Sequence, residues 1–110
     1  MDELARQKCL PRAGVEHQLS TEIVAQHLEQ LPGWRLGADL GSLEKRYAFL
    51  DFYRTMAFVN AVAWIAHEQD HHPDLSVGYN YCLVRLSTHD VGGLSWNDLI
   101  CAARIDALSE

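Results

Sequence analysis

The chain has 110 residues, 48% hydrophobic and 22% charged, which is enough for one domain around one core and too few for two. Nine Lys and Arg against fifteen Asp and Glu leave a net charge of −6, and the basic residues do not cluster, which argues against a nucleic-acid surface. The longest apolar run, around Ala57 to Ala66, is broken by Asn60 and is far too short to cross a bilayer.

Residues 1–19, with Pro11 and Gly14 and no clear period, read as an N-terminal arm, and residues 20–110 as a single domain. Ser20 suits the N-cap of a first helix running to about Leu31, with Val24, Leu28 and Leu31 as its apolar stripe and Pro32-Gly33 as its stop. Trp34 to Leu36 predicts a short strand, and Gly37 and Gly41 mark the turn after it. Leu43 to Leu50 predicts a second strand, with Tyr47 and Phe49 on one face and Glu44 and Arg46 on the other.

Asp51 suits the cap of a central helix over about 52–70. Phe52, Met56, Val59, Ala63 and Ala66 form one apolar stripe, and Phe58, Val62 and Ile65 form a second beside it. A band that wide exceeds what one small sheet covers, so the helix is expected to build a subunit interface. Leu75, Val77 and Tyr79 alternate as a third strand, and Cys82, Val84, Leu86 and Thr88 as a fourth, with the reversal at Gly78 to Tyr81. After the Gly92-Gly93 loop, Ser95 caps a last helix whose inner face carries Trp96, Ile100, Ala103 and Ala107. The order α-β-β-α-β-β-α predicts an α+β fold: a four-stranded antiparallel sheet with three helices packed on one face. Cys9, Cys82 and Cys101 show no CxxC spacing, and the Met-Asp-Glu start carries no secretory pattern. Together they suggest a reducing, cytoplasmic setting with the thiols acting as small hydrophobes.

Histidine carries the chemistry of this sequence. His67 and His71 lie four apart at the end of the central helix, His72 follows directly, and Pro73 prevents the helix from continuing. In a hairpin of the third and fourth strands, the end of the second strand lies beside the start of the first, which brings His89 near His72 and Pro73. Three explanations stand at this level. The imidazoles are polar element ends, or His67, His71 and His89 ligate a metal, or a shared pocket pairs a proton donor with a proton acceptor.

The ordered set His71-His72-Pro73, Val77-x-Tyr79-Asn80, Leu86-Ser87-Thr88-His89-Asp90 and Gly93-Leu94-Ser95-x-x-Asp98 resembles the pterin-4a-carbinolamine dehydratase family. Gly33-Trp34 and Asp51-Phe52 fit the same pattern, and the match runs from about Ser20 to Leu108. The resemblance implies the same sheet with three helices on one face, assembled as a homodimer or homotetramer. It implies dehydration of 4a-hydroxytetrahydropterin to quinonoid dihydropterin, a lyase activity that recycles tetrahydrobiopterin for aromatic amino acid hydroxylases, without metal or organic cofactor.

By that resemblance His71 and His89 are the acid–base pair and His72 orients the pterin and shares the proton work. Trp34 lies either against the pterin or in the core. Asp98 is either near the pterin or in a capping box begun by Ser95. Asp70, Pro73, Ser87, Thr88 and Asp90 flank the histidines at pocket-lining positions. One departure is His67, where the family often carries glutamate. The competing functions are a regulatory or dimerisation partner on the same fold, including a partner of an aromatic amino acid hydroxylase, and a metalloprotein.

Overall fold

The computed structural model describes residues 2–109. Met1 and Glu110, the outermost residues of the expected arm and domain, lie outside the described residues. Four strands form one antiparallel sheet: β1 (Arg35–Leu36), β2 (Leu43–Ala48), β3 (Asp74–Val77) and β4 (Tyr81–Leu86), in the order β1-β2-β4-β3. The central pair runs from Leu43 opposite Leu86 to Ala48 opposite Tyr81, which puts Leu43, Tyr47, Cys82, Val84 and Leu86 on the covered face. Glu44, Arg46 and Arg85 point to the other face, where Arg85 pairs with Asp39 at 2.9 Å. The period-2 alternation is what sorts these side chains.

Among the described residues four α-helices accompany the sheet: α1 (Asp2–Arg6), α2 (Thr21–Leu28), α3 (Phe52–Gln69) and α4 (Trp96–Asp106). The three long ones were expected. Ser20, Asp51 and Ser95 cap α2, α3 and α4 through their side chains, satisfying backbone N–H groups that would otherwise lack partners. Gly33 holds φ +87, a left-handed turn that lets the chain leave the end of the first helical segment and enter β1. Tyr79 lies in the reversal after β3 rather than in the strand, and stacks on Phe52 at 6.4 Å.

The two longest helices differ in burial, and the expectation for one of them, α4, needs correction. The central helix α3 buries only a narrow stripe, Thr55, Phe58, Val62 and Ala66, and leaves Phe52, Tyr53 and Trp64 exposed. By contrast α4, read as an amphipathic helix with one inner face, is buried nearly all round, from Asn97 to Ala103 and again at Ile105 and Asp106. Ala107, expected on its inner face, lies exposed in the 3₁₀ turn beyond it.

The reason is the N-terminal segment. It packs α1 against α4, buries Leu4, and is tied down by Leu19 N–H to Leu94 O (2.8 Å), Gly14 N–H to Asp90 O (2.9 Å) and the Arg104 guanidinium to Gln7 O. Residues 2–19 therefore form a strap that closes the outer side of α4.

Candidate active site

The site begins where α3 stops. Asp70 takes the left-handed conformation (φ +50), its N–H reaches His67 O (3.3 Å), and His71 N–H reaches Ala66 O (3.1 Å). This is a Schellman ending with aspartate in the place usually taken by glycine. It fixes the direction in which His71 leaves the helix. Pro73 then leads the chain into β3.

His71 meets α4 head-on. Its Nε2–H donates to Asp98 Oδ1 at 2.6 Å, while Asp98 Oδ2 accepts from the Thr88 hydroxyl (2.7 Å) and the Ser95 backbone N–H (3.0 Å). The Ser95 hydroxyl lies 2.8 Å from Thr88 Oγ1, continuing the chain of hydrogen bonds. Asp98 is fully buried and His71 retains 10% side-chain exposure. A buried carboxylate is tolerable only with such donors around it. Asp98 thus completes the capping box of α4 and grips His71 with the same side chain.

Burial pulls the His71 pKa down, but the hydrogen bond and charge of Asp98 outweigh it, with smaller help from Cys9 and Asp70. The net result lies above the usual histidine value. Since Nε2 is engaged, Nδ1 is the nitrogen left to face a substrate.

Asp70, His71, His72, Ser87, Thr88, His89 and Asp90 line one cleft of about 300 Å³, together with Asp74. The hairpin explains the convergence. Asp74 pairs with Arg85, so the chain just before β3 runs beside the chain just after β4. There, Thr88 pairs with Gly93 and His89 opens a 3₁₀ turn. A second cleft of about 450 Å³ shares Asp70, His71, Thr88 and Asp90 with the first, and adds Cys9, Arg12, Glu68 and Asn97. Both volumes suit a small-molecule ligand (roughly 300–1,000 Å³).

Pro73 lines neither cleft and serves as the link between His72 and β3. Trp34 is in the core: its indole N–H donates to Asp106 Oδ1 at 3.1 Å, and its ring meets Tyr47 edge-on. Between the two positions left open for it, the structure gives the core one.

His67 is exposed and tilts against Trp64 at 5.8 Å, apart from the residues of either cleft. Among the described residues no group of three or more His, Cys, Asp or Glu is arranged to hold a metal ion.

The strap supplies residues that sequence patterns did not single out. Asn97 Oδ1 accepts from Arg12 Nε (3.0 Å) and Leu10 N–H (3.1 Å), and Asn97 Nδ2 donates to Leu10 O (2.7 Å). Cys9 N–H donates to Gln69 Oε1 at 2.8 Å. These contacts set residues 9–13 as one wall of the larger cleft.

A family model described as Pterin 4 alpha carbinolamine dehydratase matches residues 17–108. The chain belongs to the pterin-4-alpha-carbinolamine dehydratase family. A protein named "Putative pterin-4-alpha-carbinolamine dehydratase" from Stenotrophomonas maltophilia (strain K279a) is 55% identical over 107 residues, covering 97% of this chain and 92% of the relative. One of the same name from Nitrosospira multiformis is 52% identical over 109 residues, covering 98% and 94%.

Among solved structures, a transcriptional coactivator/pterin dehydratase from Brucella melitensis superposes with a TM-score of 0.80 at 27% identity, over 84% of this chain and 98% of that one. A pterin dehydratase-like protein described as a RuBisCO assembly factor in the alpha-carboxysome gives 0.61 at 32% identity, over 70% and 89%. The dehydratase family match begins at residue 17, so residues 9–13 of the cleft wall lie before it.

Proposed function

We propose that this protein dehydrates 4a-hydroxytetrahydropterin to quinonoid dihydropterin by histidine acid–base catalysis. The observation that carries the reading is the His71–Asp98 pair opening onto a cleft that also holds His72 and His89. Loss of hydroxide from C4a is unfavourable unless a proton arrives as the C–O bond breaks. The adjacent ring nitrogen must lose a proton so that the new C=N bond is neutral. One imidazolium and one neutral imidazole meet both needs near neutral pH.

His71 is the donor. The Asp98 carboxylate behind its Nε2 favours the protonated ring, leaving Nδ1–H for the departing hydroxyl. His89 is the acceptor at the ring nitrogen, and His72 orients the pterin and shares the proton work. Asp70, Ser87, Thr88 and Asp90 supply the polar wall. The reaction recycles tetrahydropterin for aromatic amino acid hydroxylases in the cytoplasm. No helix among the described residues is long and apolar enough to cross a membrane.

The test is spectrophotometric loss of 4a-hydroxytetrahydropterin in wild type, His71→Ala and His89→Ala, with and without a chelator. Each variant should lose ~10²–10⁴-fold in rate, with no effect of the chelator. Equal rates in all samples would remove the enzyme reading, and loss confined to chelator-treated samples would restore the metal one.

A second reading, a regulatory or assembly partner on the same fold, is favoured by one observation. Phe52 and Tyr53 at the start of α3 and Trp64 about three turns on are all exposed, which suits a homodimer or homotetramer contact or the docking of a larger protein. Light scattering of wild type and Trp64→Glu distinguishes these uses. A fall in mass for the variant marks the surface as the oligomer contact, and an unchanged mass leaves it for another protein.

A further inference from the structure

We propose that Cys9 and Cys101 form a redox-modification site, at which hydrogen peroxide oxidises the two thiols to a disulfide that fastens residues 9–13 to α4. The two sulfurs lie 3.5 Å apart although 92 positions separate them in sequence. Cys9 is half-buried and lines the larger cleft, so a small oxidant reaches it from solvent. Cys101 is buried on α4 with the Cys9 sulfur beside it. The third thiol, Cys82, is buried in β4.

Closing the gap to a disulfide requires a movement of about 1.5 Å. The strap can supply it. Cys9 lies in neither helix nor strand, and its segment is held by the side chains of Gln69 and Asn97 rather than by a backbone ladder.

The surroundings favour attack by Cys9. The hydrogen bond from Cys101 does most to lower the Cys9 pKa, burial opposes it, and the positive charges of His71 and Arg104 add to the lowering against Asp98. The same contact, followed by burial, pushes the Cys101 thiol up and keeps it protonated. In the first step the Cys9 thiolate attacks one peroxide oxygen. An S–O bond forms, the O–O bond breaks, and the departing hydroxide takes the one proton that the Cys9 thiol gave up and leaves as water, giving a sulfenic acid. In the second step the Cys101 sulfur attacks the Cys9 sulfur. The S–S bond forms, the S–O bond breaks, and hydroxide leaves with the Cys101 proton as a second water. Two thiols and one hydrogen peroxide become one disulfide and two waters, with the two electrons coming from the sulfurs. Such a bond in a reducing compartment is transient and reversed by thiol exchange.

The experiment treats the reduced full-length protein with hydrogen peroxide and reads the intact monomer mass without reductant. The expected result is a loss of about 2 Da, a fall from three titratable thiols to one, and a Cys9–Cys101 linked peptide released by dithiothreitol. The linked form should also melt higher by roughly 10 °C, because the loop it closes spans most of the chain. In Cys101→Ala, checked for native circular dichroism, Cys9 should gain oxygen with no cross-link. Cys82→Ala should cross-link like wild type. Oxygen addition to wild-type Cys9 without a link, a link through Cys82, a disulfide between two chains, or no change on treatment would each overturn the proposal.

Discussion

Helix α4 carries two buried carboxylates, Asp98 near its start and Asp106 at its end, and they do opposite things with the same burial. Asp106 Oδ1 accepts from the Trp34 indole N–H, the Lys45 ammonium at 2.9 Å and the Tyr47 hydroxyl. Burial, then the hydrogen bond and charge of Asp106, push the Tyr47 pKa upward, so its hydroxyl stays a donor. Every partner is locked into the core or the sheet. Asp98 is equally well satisfied, yet one of its three partners is an imidazole with a second nitrogen left for a cleft. Among the described residues no buried side-chain polar atom lacks a hydrogen bond, so satisfaction alone does not separate the two. What separates them is whether a partner can change its protonation state where a ligand can meet it.

The largest expected effect breaks the catalytic half of this contrast. Asp98→Asn should lower kcat by about 10²-fold with little change in KM, because the ring loses the charge that favours its protonated form. Asp106→Asn should leave kcat within a factor of about two, and steady-state kinetics on the two variants decide the matter.

The structural half breaks next. Asp106→Ala strands an indole N–H and a phenol, while the partly exposed Lys45 ammonium keeps Pro32 O at 2.9 Å, and should cost about 2–5 kcal/mol in urea unfolding, since each buried donor left without a partner carries its full desolvation penalty.

A pH series sharpens the comparison. The folded-state pKa of His71 lies above its unfolded value of about 6.5. Its contribution to stability is therefore complete below that pH and is lost as pH rises through the folded value. Urea midpoints should fall across that window in wild type, and this component should be absent in Asp98→Asn.

The smallest effect concerns the helix end. Asp70→Gly relieves a left-handed aspartate and should raise stability by about 0.5–1 kcal/mol while lowering activity, since the carboxylate lining both clefts is gone. A variant that gains neither stability nor loses turnover would show that the strain is not tied to the site.

How much of this could be read from the residues depended on how far each contact reaches. The gathering of His71, His72, Ser87, Thr88, His89 and Asp90 follows from one hairpin, whose register is carried by local alternation and a short reversal. Trp34 was undecidable because a flat apolar ring with one donor suits a ligand face and a core equally, and its partner Asp106 is 72 positions away. The burial of α4 on nearly every side had the same origin. Residues 2–19 show no period, so nothing in them announced the strap that covers α4. Cys9, Arg12 and Asn97 were missed for that reason, being joined only across 60 positions or more. For Asp98 the two readings were not rivals, since one side chain serves the capping box and the histidine together.

That double duty has a consequence for how the protein becomes competent. A carboxylate that nucleates the opening turn of a helix is in place only when the turn is wound, so fraying of that turn releases the imidazole at the same moment. Conditions that loosen the beginning of α4, well short of global melting, would undo the grip on His71 while most of the molecule still looks native.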